Sequence, residues 1–297
     1  MTLQVSGLSK QISGRAIIQD INFEWAPGEI IGLVGRNGVG KTTLFRTMMN
    51  QYVPEAGHVA IDGEDILDVP SRQEQLFFID TQYNFLSTYR LWELPRFFGT
   101  VYPRFDGDRF TKLIAQFKLD PNSQYRRLSK GMRALVNLIL ALTSNATYII
   151  LDEPFDGLDV IVRENIATMV IDEVADQRKG FLISSHDLNE LDGLSDRVLL
   201  LKDSQLVHDY NLEEVRSRAK KIQLVLNDKV IPDVLKAHSQ LIRVSGRVLV
   251  VVITDYTPAI DQELKALKPV LFEELPLTLE DLFRANLAHD TGYQLLK

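Results

Sequence analysis

One stretch, Ile30-Ile31-Gly32-Leu33-Val34-Gly35-Arg36-Asn37-Gly38-Val39-Gly40-Lys41-Thr42-Thr43, constrains the fold of this chain more than any other. A short apolar run enters a glycine-rich loop, and helical spacing at Leu44, Met48 and Met49 follows, which predicts strand, loop and helix in that order. Residues 35–42 satisfy the pattern G-x-x-x-x-G-K-[ST] in full. Glycines let the backbone turn its N–H groups inward, and the helix that follows offers its positive end. Lys41 can reach outer phosphate oxygens, and the Thr42 hydroxyl can bind Mg²⁺. The expectation is a phosphate cradle running from Gly35 to Thr43 within an α/β fold.

A second strand is predicted at Tyr148-Ile149-Ile150-Leu151, and it ends in "LDEPFDGLD", four carboxylates within nine residues. A carboxylate at the end of a buried strand is costly unless it is paired, hydrogen-bonded or bound to a metal. In nucleotidases with this kind of phosphate loop, an aspartate ending a second strand helps to hold Mg²⁺, and Asp152 has that place. Glu153 follows it, and successive residues at a strand end point in different directions. Glu153 can therefore face the terminal phosphate and polarise a water, which makes it the candidate general base.

These two features leave several families open; Leu128-Ser129-Lys130-Gly131-Met132 separates them. It resembles the LSGGQ signature of ABC ATPases, although Lys130 and Met132 depart from the commonest form. With the phosphate loop and the acid-ended strand, the chain is similar to ABC transporter ATP-binding proteins over residues 1–215. The resemblance implies ATP and Mg²⁺ as ligands, and Lys41, Glu153 and His186 as the groups that act on the γ-phosphate. It places Gln82 beside Thr42 and Asp152 at the metal, and Ile12 over the adenine, where the family usually has an aromatic. Ser129, Lys130, Gly131 and Asp159 are implied to contact ATP held by a partner subunit, with Asp156 and Asp159 as loop and interface acids. The implied assembly is a homodimer, or a heterodimer with a related ATPase, docked on separate permease subunits at the inner face of the cell membrane. Tyr102-Pro103-Arg104-Phe105-Asp106 and Leu279-Glu280-Asp281-Leu282-Phe283 narrow the resemblance to bacterial drug, lantibiotic and peptide export ATPases.

The fold expected is a P-loop α/β core with an antiparallel β subdomain, a helical subdomain over about residues 84–140 that carries the signature, and a small α+β extension over residues 216–297. In that extension "KIQLVLND" and "LIRVSGRVLVVVIT" read as strands, the second folding back at Ser245-Gly246-Arg247, and "PAIDQELKAL" and "LTLEDLFRANLA" read as helices. Acidic residues outnumber basic ones, 40 to 33, and a net charge of −7 disfavours nucleic acid as a partner. There are no cysteines, so disulfides and thiolate metal sites are excluded. The longest apolar runs, Ala134–Leu142 and Val248–Ile253, fall well short of the roughly 20 residues that span a bilayer. A soluble ABC ATPase acting on a non-transport partner is the other reading. Arg126, Arg127, Lys130 and Arg133 cluster around the signature, either to meet phosphate or as a solvated helix face.

Overall fold

The computed structural model describes residues 1–80, 85–176, 179–227, 230–287 and 294–296. Two long strands, β1 (Leu3–Ile12) and β2 (Arg15–Trp25), open the chain, and the apolar run before the glycine loop is β3 (Ile30–Val34), buried throughout. The loop feeds α1 (Lys41–Met48), and β4 (Ala56–Ile61), β5 (Glu64–Asp65), the single turn α2 (Pro70–Gln73) and β6 (Leu76–Phe78) follow. Next come three helices, α3 (Leu94–Val101), α4 (Gly107–Gln116) and α5 (Lys130–Thr143). The chain then alternates through β7 (Tyr148–Asp152), α6 (Val160–Ala175), β8 (Gly180–Ser185), α7 (Leu188–Leu191), β9 (Arg197–Lys202) and β10 (Gln205–Asn211).

Six of these strands form one sheet in the order β10-β9-β3-β8-β7-β6, and β3, β6, β7, β8 and β9 pair in parallel. Strands of a parallel sheet are covered on both faces, which explains why β7 and β8 read as continuous apolar runs without alternation. A second sheet, β2-β1-β4-β5, is antiparallel. Its inward residues Leu3, Val5, Ile18, Ile21 and Trp25 share one core with Leu33, Leu44, Phe45, Tyr148 and Leu182 of the central sheet and α1. Trp25 meets Tyr148 edge-on at a centroid distance of 4.9 Å. The expected helical segment is α3 to α5, and α5 continues to Thr143, beyond residue 140. Asp106 begins α4 by accepting the Arg109 N–H at 2.8 Å, so "YPRF" precedes the helix rather than belonging to it.

The chain separates into two compact units, Met1–Glu190 with Leu194–Asp209, and Leu191–Gly193 with Tyr210–Lys297. A division after residue 215 would cut α8 (Leu212–Arg218). The second unit continues as β11 (Lys220–Val225), α9 (Asp233–His238), β12 (Leu241–Ser245), β13 (Val248–Ile253), α10 (Pro258–Ala266), β14 (Leu271–Leu275), α11 (Leu279–Leu287) and β15 (Gln294–Leu296). Its sheet has the order β14-β11-β13-β12-β15, antiparallel except for β12 with β15. From β11 to β14 this is the β-α-β-β-α-β plait of ferredoxin-like folds. One face buries Ile222, Leu224, Leu249 and Val251 under Leu235 of α9 and Ile260 and Leu264 of α10. On the other face Val252 packs with Ala285 of α11.

Candidate functional site

Strand register brings the sequence-predicted groups to one end of the central sheet. Across β3 and β8, Val34 lies opposite Ser185, and across β7 and β8, Asp152 lies opposite Ser184. The residues that follow these strand ends are Gly35, Glu153 and His186. They therefore meet at the carboxyl edge of a parallel sheet, where open α/β sheets bind ligands.

Two glycines of the loop are required for reasons of space and one for its backbone angle. A Cβ on Gly35 would sit 2.7 Å from Val39 Cγ1 and 2.8 Å from the Leu201 carbonyl oxygen. A Cβ on Gly40, whose φ is 120°, would sit 2.9 Å from the Ile17 carbonyl oxygen. Gly38 has open space around it but a φ of 80°, a region that side chains disfavour. Arg36 and Asn37 are exposed at the tip, where the Val39 N–H donates to the Arg36 carbonyl at 3.2 Å. The Thr43 carbonyl accepts the Thr47 hydroxyl at 2.7 Å within α1.

Lys41 is 6 % exposed, and its ammonium donates to the Gly35 carbonyl at 2.6 Å while pairing with Glu153 Oε1 at 3.0 Å. The other carboxylate oxygen of Glu153 lies 2.5 Å from His186 Nδ1. Glu153 thus joins the loop lysine to the histidine that ends β8. This contact raises the His186 pKa above its ordinary value, the Glu153 hydrogen bond being the main cause. Glu153 itself has a φ of 49°, an uncommon left-handed backbone for a residue with a side chain. Two hydrogen bonds from its backbone environment hold that turn: its N–H donates to Ser184 Oγ at 2.9 Å, and its carbonyl accepts the Asp156 N–H at 3.2 Å.

Asp152 takes a hydroxyl on each oxygen. Thr42 Oγ1 donates to Oδ2 and Ser184 Oγ to Oδ1, both at 2.6 Å. Thr42 and Asp152 form a pair of hard oxygen donors, which suits Mg²⁺, an ion usually held by one or two protein groups together with phosphate oxygens and water. Among the described residues no three His, Cys, Asp or Glu side chains gather to hold a metal alone. Ser184, fully buried, is the site residue that the sequence reading passed over. Its only signal was a strand ending in two serines before His186.

The signature-side candidates adjoin this cluster through the Asp156 N–H, which donates to the Glu153 carbonyl at 3.2 Å. Ser129 caps α5, accepting the Met132 N–H at 3.2 Å, and Asp159 caps α6, accepting the Val162 N–H at 3.0 Å. Lys130 pairs with Asp156 at 2.6 Å, and a Cβ on Gly131 would touch Val162 of α6 at 3.4 Å. The signature-like segment and the loop from Asp156 to Asp159 therefore adjoin each other. Neither has a hydrogen bond to the phosphate loop among the described residues. Ile12 ends β1, 40 % exposed, opposite Arg15 across a turn through Ser13 and Gly14. Gln82 lies outside the described residues.

The family model described as ABC transporter matches residues 18–156. The ABC transporter ATP-binding protein YtrB of Bacillus subtilis is 30% identical over 96% of this chain and 97% of its own length. The lipopolysaccharide export system ATP-binding protein LptB of Escherichia coli is 29% identical over 69% of this chain and 89% of its own. A solved ATP-binding subunit of an ABC transporter superposes with a TM-score of 0.66 at 25% identity, covering 73% of this chain and 92% of that one. Among the described residues no helix is long and apolar enough to cross a membrane. A chain that matches YtrB along nearly its whole length, and builds a phosphate loop against an acid-ended strand, belongs to the ABC transporter ATP-binding proteins, the ATPases of these systems.

Proposed function

We propose that this chain binds Mg²⁺-ATP at residues 35–43 and hydrolyses it with Glu153 as the base, in an ATP-closed dimer that drives separate permease subunits in export. The contact that carries the reading is Glu153 between Lys41 and His186, beside an Asp152 held by Thr42. Bound Mg²⁺ would neutralise phosphate charge in this scheme, with Thr42, Asp152 and Gln82 as its protein partners. Lys41 offers a buried cation to the outer phosphates, where a charge-assisted hydrogen bond is strongest. Glu153 accepts the proton of the attacking water, and His186 donates a hydrogen bond to the γ-phosphate. Ile12 covers the base.

Among the described residues Ser129, Lys130, Gly131 and Asp159 have no hydrogen bond to their own phosphate loop, which supports their role at the nucleotide of a second subunit. That subunit is another copy of this chain or a related ATPase. The name of LptB supports export, and membership of a family whose ATP-binding subunits work with separate permeases supports a cytoplasmic subunit held peripherally at the membrane. The acidic net charge of −7 favours a protein partner over nucleic acid. The first compact unit, Met1–Glu190 with Leu194–Asp209, is the ATPase domain of this proposal, and the second unit is an accessory domain.

The test separates two neighbouring acids. Glu153→Gln keeps the size of the side chain but cannot accept a proton, so turnover should fall by about 10²–10⁴-fold while ATP binding persists. Asp152→Asn should instead lose the Mg²⁺ dependence of ATP binding by calorimetry. Wild-type turnover in Glu153→Gln would remove the base assignment.

A further inference from the structure

Beside the acid-bearing strand, and separate from the phosphate loop, lies a cavity of about 540 Å³. Its walls include Phe77, Ala134, Leu138, Ile150, Leu158 and Ile166. Residues 151–154 form another wall, so the cavity is bounded on one side by the helix α5 and on another by the turn that carries Asp152 and Glu153. Its volume falls in the range of small-molecule sites, which combine apolar walls with a few placed polar groups.

Three cations, Arg126, Lys130 and Arg133, and three carboxylates line the cavity, so its charges balance overall and their pairing decides where an ionic ligand could find a partner. Three carboxylates line the cavity, and each has partners: Asp152 takes Thr42 and Ser184, Glu153 takes Lys41 and His186, and Asp156 takes Lys130. Arg126 and Arg133 also line it, and neither forms an ion pair among the described residues. The Arg133 guanidinium is already oriented, since it donates to the Leu128 and Arg126 carbonyls at 3.0 Å each and keeps further N–H groups available. Among the described residues Arg126 donates only to the side chain of Gln124, at 3.2 Å. Asn137 on the same wall accepts the Tyr125 hydroxyl at 2.8 Å, which leaves its amide N–H₂ to donate. Two arginines without an ion pair among the described residues, beside an apolar wall, suit an anionic head on an apolar body.

We infer that this cavity is a binding site for an amphipathic organic anion, a carboxylate, sulfonate or phosphate monoester whose apolar part lies against Ala134 and Leu138 and whose head meets Arg126 and Arg133. The occupant would sit against the turn of Asp152 and Glu153 without touching the phosphate loop, a placement suited to a regulator of turnover.

The probe is 8-anilinonaphthalene-1-sulfonate, titrated by fluorescence into the full-length protein, with N-phenyl-1-naphthylamine as the same apolar body lacking the charge. One molecule of the sulfonate should bind per chain, and saturating ATP should leave it bound. Ala134→Trp fills the chamber and should abolish that binding. Should this variant fail to fold, Arg126→Ala with Arg133→Ala decides the matter. The double variant should weaken the sulfonate by about tenfold or more, the usual worth of hydrogen bonds to a charged group, while binding the uncharged amine as the wild type does. Wild-type affinity for the sulfonate in the double variant would overturn the inference, and so would displacement of the probe by ATP.

Discussion

Ser184 joins the two acids more directly than any other residue. Its hydroxyl donates to Asp152 and accepts from the N–H of Glu153, so one fully buried oxygen fixes both the carboxylate proposed to face the metal and the left-handed turn of the proposed base. Ser184→Ala leaves a carboxylate oxygen and an N–H without that partner. A misplacement of an ångström or less in such a site can cost about 10²-fold in rate. Turnover should fall by about 10–100-fold with a smaller change in the KM for ATP, and Ser184→Thr, which keeps the hydroxyl, should recover most of it; equal losses in both variants would reduce Ser184 to packing. His186 offers a second measurement. Glu153 raises its pKa, so the charged pair is fully formed below the ordinary imidazole value and is lost as the pH rises through the raised one. An NMR titration of the His186 ring should have its midpoint above about 6.5, and Glu153→Gln should lower it. An unchanged midpoint would mean that another group holds the imidazole. Lys41, Thr42, Asp152 and Glu153 were legible because their spacing along the chain is itself the motif. Ser184 was not, because its role comes from strand pairing across 32 residues of sequence.

The phosphate loop works as an element, and its glycines are not equivalent. At Gly35 an added Cβ meets the Leu201 carbonyl of β9 at 2.8 Å, and a backbone oxygen in a buried strand cannot move aside. At Gly38 nothing lies within 4 Å, and only the φ of 80° resists a side chain. Gly38→Ala should therefore cost about 1–2 kcal/mol, the left-handed penalty, and weaken ATP by about tenfold. Gly35→Ala should lose more, because the loop and β9 must separate; calorimetry giving the reverse order would place the constraint elsewhere. The same distinction between pattern and packing governs what could be read of the second unit. Alternation revealed β11, and the hairpin of β12 and β13 turns where Gly246 takes a φ of 65°. Helices α10 and α11 kept their apolar spacing. Of the plait itself, the sequence reading missed α9, only six residues long, and the edge strand β14, whose "LFEEL" is mostly exposed. Without those two the segment reads as an unspecified α+β extension; with them it closes into a plait.

At the scale of the whole molecule, the ATPase unit divides its candidate site between two surfaces. One bears Lys41, Asp152, Glu153 and His186 in mutual contact; the other bears Ser129, Lys130 and Asp156 to Asp159, bonded to each other. On the proposed reading the second group serves the nucleotide of another subunit, and ATP becomes part of the contact between the two. A ligand that binds the closed assembly better than the separate subunits shifts the population towards it, and hydrolysis removes that ligand. Glu153→Gln stops the removal without stopping the binding. With Mg²⁺-ATP it should move from monomer to dimer on gel filtration, while the wild type should return to monomer as ATP is consumed. Adding Ser129→Arg to Glu153→Gln should leave ATP bound at the phosphate loop and abolish the dimer, since the bulky cation is introduced on the opposite surface. A dimer that persists in the double variant, or one that forms equally without nucleotide, would mean that the subunits associate through some other face and that each phosphate loop works without a signature from its neighbour.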